Sequence, residues 1–88
     1  MGRRRSEYTI ELAKRVYALI LESDGEASTP ALFSRALEEG LVSEYSSLYR
    51  VLRFLEERGL VDRRIEGKVC YWEVSKVFGE EELEALLG

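Results

Sequence analysis

The chain contains no histidine, no asparagine and no glutamine, and its 88 residues include one cysteine, one proline and one tryptophan. Without histidine, imidazole acid–base catalysis, triad chemistry and His-ligated metal sites are excluded. The single cysteine rules out an intramolecular disulfide. The missing amides remove the side chains that would read adenine through a bidentate contact. No apolar run approaches the roughly 18 to 20 residues that a membrane span needs. No secretory apolar segment follows the first arginines, so a cytoplasmic location and no membrane partner are expected. No nucleophile–base pair, phosphate loop or metal-ligand spacing is present, so no enzymatic activity and no cofactor are expected. An excess of Glu and Arg without thermolabile amides is the usage found in heat-adapted proteins.

What is present is 13 basic and 17 acidic residues, a net charge of -4, with 45% hydrophobic and 34% charged residues, which places the chain among globular proteins. The length suits one domain with one core. A net acidic chain is no general polyanion binder. The charge is segregated, however: residues 1–21 carry +3, 22–45 carry -5, 46–76 carry +2 and 77–88 carry -4. Two positive stretches are therefore hidden in the bulk value.

Hydrophobic periodicity and punctuation predict a first helix over residues 6–24, with Ser6 as its cap and Asp24–Gly25 as its stop. Leu12, Ala13, Val16, Tyr17, Leu19, Ile20 and Leu21 wrap most of this helix, which predicts burial on more than one face. A second helix over 29–39 has Ser28 or Thr29 to cap it, Pro30 at its start and Gly40 at its end. A third helix over 45–58 places Leu48, Val51, Leu52 and Leu55 on one face, and Ser47, Tyr49, Arg50, Arg53 and Glu57 opposite. After Gly59 the period becomes 2, predicting a hairpin over 60–74. With a turn at Glu66–Gly67, the expected pairs are Ile65 with Lys68, Arg63 with Cys70 and Val61 with Trp72. Val61, Ile65, Cys70, Trp72 and Val74 then share the apolar face. A short helix over 79–87, opened by Glu80, Glu81 and Glu82, ends the chain.

The expected class is α+β, mainly α with a small β-hairpin. The string Ser46-Ser47-Leu48-Tyr49-Arg50-Val51-Leu52-Arg53-Phe54-Leu55-Glu56-Glu57-Arg58-Gly59-Leu60-Val61 resembles the third helix and following strand of winged helix-turn-helix transcriptional regulators of the PadR and MarR types. The same string is similar to that of the ferric uptake regulators, but the chain lacks their His ligands and a dimerisation domain of matching length. The resemblance covers residues 28–74. It implies a three-helix core with a wing, and double-stranded DNA as partner.

Arg50 and Arg53, three apart on one helix face, could bind guanine bidentately in a major groove. Ser46 and Ser47 could offer hydroxyls and backbone N–H groups to a phosphate, and Tyr49 a phenol. Arg63, Arg64 and Lys68 are the hairpin candidates for the backbone or a minor groove, although the expected register turns Arg63 toward the apolar face. Arg3, Arg4 and Arg5 could form a flexible basic arm. The surplus apolar surface of the first helix and the last predicts a homodimer paired through them. A different function stays open, a winged-helix module for protein–protein contacts in a transcription, replication or trafficking assembly, which the acidic balance favours.

Overall fold

The computed structural model describes residues 7–74 and 76–88; Ser6 and the Arg3–Arg5 run lie outside the described residues. Four helices and a three-stranded antiparallel sheet follow in the order α1 (Glu7–Glu22), β1 (Glu26–Ser28), α2 (Thr29–Glu38), α3 (Tyr45–Glu57), β2 (Asp62–Glu66), β3 (Val69–Glu73) and α4 (Glu80–Leu87). The α+β class and the positions of the four helices follow the sequence pattern. Among the described residues no helix is long and apolar enough to cross a membrane.

Helix α1 is the centre of the core: Ala13, Val16, Tyr17, Leu19 and Ile20 are buried, with Leu12 and Leu21 half-buried. Its apolar circumference is covered by α2, α3 and β1, and by α4 folding back along it. Leu83 and Leu87 of α4 are buried by this return. Each such side chain removed from water contributes about 1.5–3 kcal/mol. Lys14 fastens the return through ion pairs to Glu80 and Glu84. Those carboxylates, Glu84 first, raise the Lys14 ammonium above its ordinary value. The Tyr17 hydroxyl accepts from the Phe78 N–H at 3.1 Å and fixes the chain leading into α4. Leu83 and Leu87 of the last helix thus belong to the chain's own core.

Helix α2 starts as its punctuation predicts, with the Ser28 hydroxyl accepting from the Ala31 N–H at 3.2 Å. At its end the Leu41 N–H donates to the Ala36 carbonyl at 2.9 Å, the longer bond of a Schellman cap. Helix α3 ends the same way, with Leu60 N–H to Leu55 carbonyl at 3.0 Å. This closure needs the left-handed φ of 78° at Gly59. It turns the chain from helix into strand within a few residues, so the hairpin is placed directly beside α3.

Two features of the sheet differ from expectation. The first is β1, absent from the sequence prediction, which pairs with β3 and makes the sheet order β1-β3-β2. Three residues, Glu26-Ala27-Ser28, are too few to show an alternation; their strand exists because β3 offers a free edge. The second is the hairpin register. Arg63 pairs with Trp72, Ile65 with Cys70 and Glu66 with Val69, which replaces the expected pairs. The turn is Gly67–Lys68, with Gly67 at φ 62° and no positive φ at Lys68, the pattern that puts glycine first in a II′ turn. Moving the turn by one residue shifts each pair by two and leaves every side chain on its own face. Alternation alone cannot tell these registers apart.

Trp72 is fully buried and ties the layers together. Its indole N–H donates to the Thr29 hydroxyl oxygen at 2.8 Å, and that hydroxyl donates to the Cys70 carbonyl at 3.1 Å. Buried Thr29 therefore joins the start of α2 to the central strand. Ile65, expected on the buried face, is 66% exposed. It lies beyond Trp72 toward the turn, where the hairpin has passed the edge of the helices and has nothing to cover it.

Candidate nucleic-acid interface

Helix α3 is held by Leu48, Val51, Leu52, Phe54 and Leu55, all buried. At 100° per residue, these fix the opposite side as Ser46, Arg50, Arg53 and Glu57, all exposed. Ser47 lies toward the α1 flank and is half-buried. The two arginines project side by side, and they differ in their surroundings. Arg53 forms an ion pair with Glu56 at 3.1 Å. Arg50 has no acidic partner among the described residues. Glu44 occupies the N-cap without a side-chain cap bond. Its carboxylate lies at the positive end of the helix dipole, where Ser46 and Ser47 were expected to receive a phosphate.

Tyr49 and Arg63 form a bridge between α3 and the hairpin. The Tyr49 ring meets the Trp72 ring edge-on with centroids 6.0 Å apart. Its hydroxyl accepts from the Arg63 guanidinium at 3.0 Å. Arg63 also lies 5.9 Å from the Trp72 ring centroid and 3.5 Å from Glu56. Its position on the Trp72 face agrees with the face predicted from alternation. The phenol expected to meet a phosphate is engaged inside the protein.

Arg64 stands on the other face of the sheet. Cross-strand pairing aligns Glu26, Glu73 and Asp62 in one row, with Ser28, Tyr71 and Arg64 in the next. Like charges opposite one another are destabilising, and Arg64 relieves them. It bonds Glu73 at 2.7 Å, pairs with Glu26 and Glu66, and lies 4.8 Å from the Tyr71 ring centroid. Glu73, with Glu66 behind it, holds the guanidinium above its ordinary pKa. Lys68 stands exposed at the turn, without an acidic partner among the described residues.

The candidates therefore separate. Arg50, Arg53, Ser46 and Lys68 face outward; Tyr49 and Arg63 connect α3 to the hairpin; Arg64 neutralises an acidic row. Sequence reasoning missed a groove on the α1 side of α3, because its walls come from three elements. It encloses about 580 Å³ between the start of α1, the α2–α3 turn and α3 itself. Its lining includes Tyr8, Leu41, Val42, Ser47, Arg50 and Phe54. Comparison with protein-family models, with curated proteins and with solved structures gave no match.

Proposed function

We propose that the chain is a winged helix-turn-helix domain that binds double-stranded DNA sequence-specifically as a small transcriptional regulator. In this reading α3 enters the major groove and the β2–β3 hairpin, as the wing, meets the backbone through Lys68. The observation that carries it is Arg50, exposed beside Ser46 and Arg53 on the outward side of α3 and free of an acidic partner among the described residues. An unpaired arginine can offer both donors to guanine O6 and N7 without first breaking an ion pair. The order of α2, α3 and hairpin, with a tight helix-to-strand turn at Gly59, supports the same reading. Arg53 would exchange Glu56 for a base or phosphate on binding.

The test is selection from a random duplex pool, followed by a salt series. Binding is expected to weaken with salt by a slope of about -0.9 per neutralised phosphate, and Arg50→Ala with Arg53→Ala to abolish it. Failure of every duplex to bind at low salt would refute the reading. Pairing of two copies through α1 and α4 would have to use side chains outside the core, such as exposed Tyr8, since Leu83 and Leu87 are buried within the chain. Light scattering that shows only a 10.1 kDa species would remove it.

A protein–protein module is the second reading, favoured by the hairpin's outer face, where Arg64 is surrounded by Glu26, Glu66 and Glu73. That face repels phosphate and suits a basic partner surface. Duplex binding that depends on Arg50 decides against it.

A further inference from the structure

Large apolar side chains stand exposed at Tyr8, Leu37, Tyr45, Ile65 and Val77. Two of them, Leu37 and Tyr45, are 45% and 47% exposed and are joined by a third apolar residue. Phe33 lies one turn before Leu37 on α2, and its ring meets that of Tyr45 edge-on with centroids 5.3 Å apart. Pro30, exposed at the start of α2, continues the line. Pro30, Phe33 and Leu37 fall at i, i+3 and i+7, a stripe about 10 Å long on one flank of the helix. The buried side of α2, with Thr29, Leu32 and Ala36, adjoins this flank, and Phe33 packs against the core.

The free charge beside this stripe is of one sign. Glu38 and Glu44, both exposed, follow Leu37 and precede Tyr45 in the chain, and neither has a basic partner among the described residues. Arg35, the one basic residue between positions 22 and 45, is taken up by Glu22 and Glu39. Carboxylates beside an apolar stripe are complementary to a surface that sets apolar side chains among ammonium or guanidinium groups. The backbone of α2 is hydrogen-bonded within the helix, so an extended peptide finds no strand edge to pair with. A second helix brings its own backbone satisfied and repeats apolar side chains at the same spacing, so it can lie along the stripe.

We propose that the Pro30–Phe33–Leu37 stripe, with Tyr45, docks an amphipathic helix of a partner protein whose apolar face is flanked by lysine or arginine. The site uses neither Arg50 and Arg53 nor the hairpin, so it rests on neither reading of the function. A contact of this size is a weak, transient one, suited to recruiting a partner and releasing it.

The probe is a synthetic amphipathic helix of about 18 residues, long enough to be helical alone, with a leucine stripe flanked by lysines. Its counterpart keeps the leucines and replaces every lysine by glutamate. Each is titrated calorimetrically into the whole chain without DNA. The lysine peptide is expected to bind saturably with one site per chain, and the glutamate peptide at least about ten-fold more weakly. Leu37→Ser with Tyr45→Ser should cost the lysine peptide about ten-fold or more. Both side chains are exposed, so the fold should survive, and a melting temperature near that of the parent chain checks this. Glu38→Gln with Glu44→Gln should weaken it a few-fold and flatten its salt dependence. Val77→Ser, which removes an exposed apolar side chain outside the stripe, should change nothing. Absence of saturable binding, equal affinity for the two peptides, or lysine-peptide affinity untouched by Leu37→Ser with Tyr45→Ser would each overturn the site. A chain that is dimeric by light scattering and made monomeric by that double variant would give the stripe to a second copy instead. Binding to phosphatidylcholine vesicles that is lost in the same variant would give it to a bilayer. Either result overturns the proposal. Failure of every duplex to bind would retire the DNA reading and leave the site standing.

Discussion

The outward side of α3 and the outer face of the hairpin both carry arginine, yet they present different chemistry. On α3 the acidic neighbours lie along one helix, so Glu56 reaches Arg53 and leaves Arg50 without a carboxylate among the described residues. On the hairpin the neighbours come from across the sheet, and Arg64 receives carboxylates from β1, β2 and β3 together. The difference teaches that net positive charge along a sequence does not measure cations free to meet a phosphate. Residues 46–76 sum to +2, but part of that charge is internal to the fold.

Trp72 holds the two regions against each other, so its removal should have the largest effect. Truncating a fully buried tryptophan typically costs about 3–5 kcal/mol. Trp72→Ala should lower the thermal midpoint accordingly, since the Tyr49 ring, Arg63 and the Thr29 hydroxyl all rest on the indole. A cost below about 1 kcal/mol would show that α3 and the hairpin are held independently.

Next in size is the contrast between the arginines themselves. Arg50→Ala should weaken a selected duplex by about ten-fold or more and leave the thermal midpoint unchanged. Arg64→Ala should do the reverse, with duplex affinity changed less than about two-fold and a lowered midpoint as Glu26, Glu66 and Glu73 lose the guanidinium they share. Equal losses of duplex affinity would erase the distinction between the regions.

This distinction was only half legible in the sequence. The helices were, because caps and i, i+3, i+4 spacing are local: Ser28, Gly59 and the Leu48–Leu55 stripe are found where the pattern puts them. So were the faces of the hairpin, since Arg63 does share a side with Trp72. The register was not, because alternation fixes parity and only the φ of Gly67 fixes the pairing. Strand β1 was not, being three residues that become a strand only against β3. With β1 hidden, Glu26 could not be placed beside Arg64, and that arginine was expected on the DNA. The groove was equally out of reach, since Tyr8, Val42 and Arg50 meet only in three dimensions.

A smaller effect is expected at Arg63, where affinity alone does not separate phosphate contact from positioning. A residue that neutralises a phosphate contributes about 0.9 to the salt slope; one that holds the hairpin on α3 does not. With its guanidinium engaged by the Tyr49 hydroxyl and Glu56, Arg63 acts as a positioning residue. Arg63→Ala should therefore weaken a duplex by about three-fold to ten-fold, the scale of one interaction worth ~1 kcal/mol, with the slope unchanged. A slope shallower by about one unit would place Arg63 on the DNA instead.

The smallest effect is also the one that converts one region into the other. Glu73 lies on the central strand, makes the 2.7 Å contact to Arg64 and stands opposite both Glu26 and Asp62. Glu73→Gln keeps the shape, removes the middle of the acidic row and relieves the repulsion that Arg64 offsets, so the fold has no reason to weaken. Adding Glu26→Gln leaves Glu66 as the one acidic partner of Arg64 among these three. The hairpin then resembles α3, where one arginine keeps a single carboxylate and can exchange it. If Lys68 already brings the hairpin to the backbone, the double variant should steepen the salt slope by up to about 0.9 and tighten a duplex a few-fold. Charge alone would tighten binding through the longer-range field even if the hairpin touched nothing, so the slope has to be compared in the Arg64→Ala background. There the same glutamines remove two negative charges without freeing a cation. A steepening that persists without Arg64 reports the field, and one that disappears with it places the hairpin on the phosphates.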